Sequence, residues 1–211
     1  MNYLISAVIG YLLGSIPTAF LFLKIFKGIN ITENGSGSVG TMNSFRTSNS
    51  KIIALGVFLV DFFKGFLSVY ITILLFGDNF IYPMTALIMA VFAHCFSPWI
   101  KFKGGRGLAT AAGGASLLLF PVLILWLFFF ILGFLFRKNV HFANASSTVL
   151  TLAICLSTAD ILYKWATPPA DSPLEFGILS AIMLTIIIIR HIEPVKEYYK
   201  NYKNQIRKNR A

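Results

Sequence analysis

Residues 34–48 read NGSGSVGTMNSFRTS and residues 101–107 read KFKGGRG, and both interrupt a chain that is otherwise mostly apolar. Each sets glycines beside hydroxyls or basic groups. Glycine lets the backbone turn tightly and aim successive N–H groups at a ligand, and such a run makes an anion-binding concavity. Arg46 and Arg106 add planar forks suited to phosphate or carboxylate. Either stretch alone reads more readily as a plain loop whose basic residues mark topology. Together they weigh more, because the first belongs to an excursion of roughly 25 residues, longer than two membrane helices need. The two excursions hold seven glycines, counting Gly28, which implies shaped backbone. The pair points to an anion site, foremost for phosphate, built where membrane helices end.

The rest of the chain supplies the helices. Of its 211 residues, 56% are hydrophobic and 12% charged, with a mean hydropathy of +0.74. A soluble domain usually carries about 25% charge, so most of this surface faces lipid. The net charge of +10 would suggest nucleic acid in a soluble protein, but its distribution excludes that partner here. Cys95 and Cys155 each lie within apolar runs and read as buried small hydrophobes, not a metal or redox pair. The first apolar run has no basic n-region or cleavage pattern and is expected to be retained as a span.

Seven spans are expected: Tyr3–Phe26, Lys51–Phe76, Phe80–Trp99, a short Leu108–Phe120, Pro121–Phe136, Val140–Tyr163 and Leu174–Ile189. Gly10 and Gly14 give the first span a close-contact face, and Pro17 is expected to kink it. Ser48 or Ser50 caps the second, in which Asp61 and Lys64 share one face and are expected to pair. Pro121 divides a stretch too long for one helix, leaving a short, small-residue helix that protein must shield. The chain forms one domain, 1–211, closing in a basic tail, 194–211.

Sixteen of the eighteen Lys and Arg then fall on one side, with only Lys164 on the other and Lys64 inside a span. The positive-inside rule puts the N-terminus outside and the C-terminus in the cytoplasm. Both glycine-rich loops, His94 and His191 gather towards the cytosolic face.

Several chemistries find no support. There is no GxSxG elbow, no GK[ST] ending to the first glycine loop, and no acid five residues after any histidine. Acids are too few near the loops for a metal site. What remains is positioning and charge stabilisation by a glycine cradle with Lys and Arg.

At these residues the chain resembles the bacterial acyl-phosphate-dependent glycerol-3-phosphate acyltransferases, integral membrane enzymes that make lysophosphatidic acid. The likeness runs through YLLGSIP (11–17), GSGSVGTMN (35–43) with Arg46, DFFKG (61–65), His94, Pro98, FKGGRGLAT (102–110) and Arg190–His191. It implies a fold of seven membrane helices with a cytosolic site in the bacterial inner membrane. It also implies direct attack of the glycerol phosphate hydroxyl on the acyl phosphate carbonyl, with the substrate's own phosphate as base. Ser36, Arg46, Arg106 and His191 are the implied catalytic residues. Gly35, Gly37, Ser38, Gly40, Asn43, Lys103, Gly104 and Gly105 are the implied phosphate-binding set, with Asp61, Lys64 and His94 in support. The expected partners are acyl phosphate, glycerol 3-phosphate and membrane lipids, with no cofactor or metal, and a monomer is the expected state.

The chain departs from the family pattern in four places. Ser38 stands where asparagine is usual, Ala93 where glycine is, Arg106 where lysine is, and Pro194 where asparagine is. An acceptor other than glycerol 3-phosphate, or weakened activity, stays open on these grounds. A transporter or channel for a phosphorylated or anionic solute is the leading alternative, although no internal repeat is evident. A non-catalytic subunit whose basic tail holds anionic headgroups is another.

Overall fold

The computed structural model describes residues 1–208, with side chains described to residue 204. Among the described residues all regular structure is helical: α1 (Asn2–Ser15), α2 (Thr18–Lys27), α3 (Thr41–Ser48), α4 (Lys51–Phe76), α5 (Ile81–Cys95), α6 (Leu108–Leu118), α7 (Phe120–Arg137), α8 (Val140–Ser157), α9 (Ala159–Leu162) and α10 (Pro173–Lys208), with three short 3₁₀ turns. Six stretches are long and apolar enough to cross a membrane: Asn2–Lys27, Lys51–Phe76, Ile81–Ile100, Phe120–Arg137, Val140–Ser157 and Pro173–Asn204. The seventh expected span, α6, has only 11 residues, roughly 16 Å at 1.5 Å per residue.

α6 is short because its far end is met by protein. The starts of α6 and α8 line one cavity, so α6 leaves that end of the bundle and α7 returns to it. Where α6 stops, the Leu118 carbonyl accepts a 2.9 Å bond from the Thr167 N–H. Thr167 belongs to the connection between α8 and α10, which folds inward and buries Ala166 and Ala170. Pro121 sits in the first turn of α7, where its missing N–H costs nothing. That helix is the lipid-facing one, with Val122 its sole buried residue.

The first span is broken, not merely kinked. Ile16 and Pro17 separate α1 from α2, and the break frees carbonyls that buried polar groups then claim. Lys64 Nζ donates to the Ile16 carbonyl at 2.8 Å and lies 2.7 Å from Asp61 Oδ1. The Ser97 hydroxyl donates to the Ser15 carbonyl at 2.6 Å, and Trp99 Nε1 donates to the Ser15 hydroxyl at 3.0 Å.

Other boundaries moved for local reasons. The second span runs over Lys51–Phe76 as expected, and its cap is Ser50, whose hydroxyl accepts from the Ile53 N–H at 3.3 Å. α5 ends at Cys95, ahead of a 3₁₀ turn at Pro98–Ile100. α8 ends at Ser157, as the Thr158 hydroxyl turns back on the Ile154 carbonyl at 2.8 Å. α10 does not stop at Ile189 but continues through Pro194. Aromatic packing holds this extension, with Tyr198 on Phe142 and Tyr202 beside the Arg137 guanidinium. The expected tail at 194–211 is therefore helical as far as Lys208, and residues 209–211 lie outside the described residues.

Small residues set the two closest helix contacts. A Cβ on Gly10 or Gly14 of α1 would fall on the Ala86 or Ala90 carbonyl of α5. Between α4 and α6, a Cβ on Gly65 would fall on the Thr110 carbonyl and one on Gly113 on the Phe62 carbonyl. Gly113→Ala should therefore cost about 1–3 kcal/mol by overpacking, read as a lower thermal midpoint in detergent. Gly177→Ala, whose Cβ would meet nothing nearer than 3.8 Å, should leave that midpoint unchanged. Lys64→Ala leaves Asp61 buried and uncompensated and should cost about 3–5 kcal/mol, with Asp61→Asn in the same chain recovering part of the loss.

Candidate active site

The glycine-rich stretch builds its shape on Asn43. The Asn43 Oδ1 accepts from the Ser36 N–H at 3.0 Å, and its Nδ2 donates to the Asn34 and Ser38 carbonyls at 3.1 and 2.9 Å. Both of its amide hydrogens are spent on the loop, and Asn43 is 3% exposed. Gly35 and Gly37 take φ of +61° and +68°, which the tight path around that amide requires.

The anion cradle differs in detail from a uniform run over residues 36–40. The Ser36, Gly37 and Val39 N–H groups are already occupied by Asn43 Oδ1, the Asn34 carbonyl and the Gly104 carbonyl. The N–H groups of Ser38, Gly40, Thr41, Met42 and Asn43 have no protein acceptor among the described residues. Three of these form the first turn of α3, where helix geometry leaves donors unpaired and the helix dipole favours an anion. The sequence signal for this helix start is GT at 40–41, a glycine just ahead of the first helical residue.

The second loop is held from three sides. The Gly105 N–H donates to the His94 carbonyl at 3.0 Å, and the Val39 N–H donates to the Gly104 carbonyl at 3.1 Å, joining the two loops. From α10, Arg190 donates through Nε to the Gly105 carbonyl and through a terminal nitrogen to the Gly104 carbonyl, both at 3.0 Å. Gly104 and Gly105 serve close approach: a Cβ on the first would strike the His94 and Cys95 carbonyls, and one on the second the His94 ring. Arg190 was named in the sequence only as part of a motif. Its role as a clasp has no local signal, since its partners are 85 and 86 residues away.

Both loops open on one cavity of about 600 Å³. Ser36, Ser38, Gly40, Asn43, Arg46, Asp61, His94 and Arg106 line it, together with Lys51, His141 and Asn144, which sequence reasoning did not single out as site residues. Met42, Phe45, Ala54 and Phe58 form an apolar wall. Gly35, Gly37, Gly104 and Gly105 shape the backbone behind this lining. Lys103 is exposed and outside it. His191 is 1% exposed, also outside the lining, and its Nδ1 donates to the Ile187 carbonyl at 2.8 Å.

Charge in the cavity is unbalanced. Burial, then the Arg190 and Arg46 cations, push the Arg106 pKa below the usual arginine value, with only Glu197 acting the other way. Arg46 and Arg106 both line the cavity, and their charge calls for an anion. Behind them, Lys64 Nζ lies 3.4 Å from His94 Nδ1 and 2.7 Å from Asp61 Oδ1, with His94 Nδ1 3.7 Å from the same oxygen. Asp61 offsets the Lys64 charge and leaves the guanidinium excess to the cavity.

Such a fold and site define a multi-pass membrane protein with a cationic pocket beside an apolar wall. Residues 4–201 match the family model described as glycerol-3-phosphate acyltransferase. The chain is 37% identical over 153 residues to a glycerol-3-phosphate acyltransferase of Wolbachia pipientis wMel, covering 72% of this chain and 79% of the relative. It is 32% identical over 200 residues to one of Campylobacter lari, covering 91% and 93%. The crystal structure of PlsY, an integral membrane glycerol 3-phosphate acyltransferase in its glycerol 3-phosphate form, superposes with a TM-score of 0.78 at 26% identity, covering 95% and 94%. Its lysophosphatidic acid form gives 0.76. The chain belongs to the glycerol-3-phosphate acyltransferase family, integral membrane enzymes of phospholipid synthesis.

Arg190→Lys keeps the charge but loses the fork that spans two carbonyls. It should lower kcat/KM for acyl transfer about tenfold. Unchanged kcat/KM would mean that the GGRG loop holds its shape unaided.

Proposed function

We propose that this protein transfers an acyl group from acyl phosphate to the sn-1 hydroxyl of glycerol 3-phosphate, in the bacterial inner membrane. The hydroxyl oxygen bonds to the acyl carbonyl carbon, the carbon–oxygen bond to phosphate breaks, and the hydroxyl proton leaves with inorganic phosphate. Lysophosphatidic acid is the other product. The observation that carries this function is the single cavity in which Arg46 and Arg106 face the unpaired N–H groups at the start of α3, beside the wall of Met42, Phe45, Ala54 and Phe58. Phosphate and acyl chain have neighbouring places there.

In this scheme the Ser38, Gly40 and first-turn N–H groups, with Ser36 and Arg46, hold one phosphate. Arg106 holds the other, and both guanidinium groups offset charge on the tetrahedral oxyanion. Lys103 and His191 act from outside the lining, the first by charge and the second by supporting the wall. No covalent intermediate is needed, which suits a site whose histidines have no acid–base partner geometry with Ser36. Acyl phosphate acts as donor, and the active unit is a monomer.

The membrane arrangement follows the charge. α6 counts as the seventh crossing, since it leaves the cavity end and α7 returns to it. The termini then lie on opposite sides, with the N-terminus outside and the cavity, basic loops and C-terminus cytosolic.

Purified protein supplied with acyl phosphate and glycerol 3-phosphate should form lysophosphatidic acid, and acyl-CoA or acyl carrier protein should not replace the donor. Arg106→Ala should lower turnover about 10²–10³-fold, and Ser36→Ala should reduce it as well. Folded protein that forms no product from any donor would overturn the assignment and turn attention to anion transport.

A further inference from the structure

We infer that His141, in the first turn of α8, is a phosphate-positioning residue that works as a unit with Arg106. His141 Nδ1 lies 2.9 Å from an Arg106 terminal nitrogen, and both side chains line the cavity. Arginine carries only donors, so Nδ1 must be the acceptor in this bond. The ring proton then sits on Nε2, and that nitrogen has no protein partner among the described residues. One ring therefore does two things: it fixes the plane of the guanidinium, and it adds an N–H donor to the same anion.

The ring's own placement is built in. Asn139 Oδ1 accepts from the His141 and Phe142 N–H groups at 2.9 and 3.0 Å, capping α8. Asn144, one turn on, is 8% exposed and also faces the cavity. The α8 entrance thus adds polar groups to the cavity that α3 also lines. This matters here because α10, the other element beside Arg106, has proline at position 194, three residues after His191, with no polar side chain to offer.

The ligand is the phosphate of a substrate or the inorganic phosphate product, so the proposal rests on the acyl-transfer function above. Two measurements separate them: calorimetric binding of inorganic phosphate to the detergent-solubilised protein, which needs no turnover, and KM for each substrate. His141→Ala should weaken phosphate binding, and raise KM for one phosphorylated substrate, about 10- to 100-fold, with a smaller change in kcat. His141→Asn, which keeps an acceptor for Arg106 but no Nε2–H, should recover part of that loss. In an Arg106→Lys chain, which has no guanidinium plane to fix, His141→Ala should cost less than it does beside arginine, because only the Nε2–H contribution is left to lose.

Unchanged phosphate affinity and KM in a folded His141→Ala protein would overturn the inference, as would fully additive losses with Arg106→Lys. Weakened phosphate binding without acyl transfer from any donor would leave the subsite standing and overturn only the acyl-transfer function.

Discussion

Everything at the site end of this bundle depends on one buried ammonium group. Lys64 lies deep in α4, and a lone lysine there would face a desolvation cost of several kcal/mol. Three groups answer that cost: the Asp61 carboxylate, the His94 ring nitrogen and the Ile16 carbonyl. The last is available because the helix breaks at Ile16–Pro17, where that carbonyl has only the Thr18 N–H from its own backbone and a lone pair left for Lys64. A proline in one span and a lysine in another thus solve each other's problem. The break between α1 and α2, the register of α4 against α1, and the orientation of His94 are settled together.

From His94 the constraint passes to the loops. Its carbonyl takes the Gly105 N–H, and its ring fills the space a side chain on Gly105 would need. Gly104 then offers its carbonyl to Val39, tying the second glycine loop to the first, while Arg190 grips both carbonyls from α10. α4, α5 and α10 therefore converge on a few backbone atoms. Rigid helices define those atoms better than a free loop could, and positioning is what the direct transfer proposed above most requires.

Much of this was legible in the chain. Hydropathy and the glycine spacing gave the helices, because lipid forces backbone bonding within each helix and small residues permit close approach. The pairing of Asp61 with Lys64 followed from their separation along one helix face. What could not be read were contacts between distant segments. Nothing near Arg190 signals that its fork spans the Gly104 and Gly105 carbonyls, and nothing near His141 signals Arg106. Asn43 entered the phosphate-binding set through the family resemblance, and only the folded path shows that its three bonds go to the loop. The last span is expected to end at Ile189, yet it runs on through Pro194. Aromatic contacts of Tyr198 and Tyr202 carry α10 past it, a tertiary effect that outweighs local propensity.

The disposition of the histidines narrows the chemistry. His94 gives Nδ1 to Lys64 and turns the rest of its ring onto Gly105. His141 gives Nδ1 to Arg106. His191 bonds to its own helix and lies behind the cavity wall. None is joined to a serine hydroxyl, so the side-chain relay needed to make Ser36 a nucleophile is missing among the described residues. The cavity is rich instead in fixed positive charge and oriented N–H groups, which act most strongly where water is scarce. A site so composed lowers a barrier by stabilising the charge that forms when one substrate oxygen attacks and a phosphate departs. The attacking group need not be activated by the protein when the substrate brings a phosphate oxygen of its own to accept the proton.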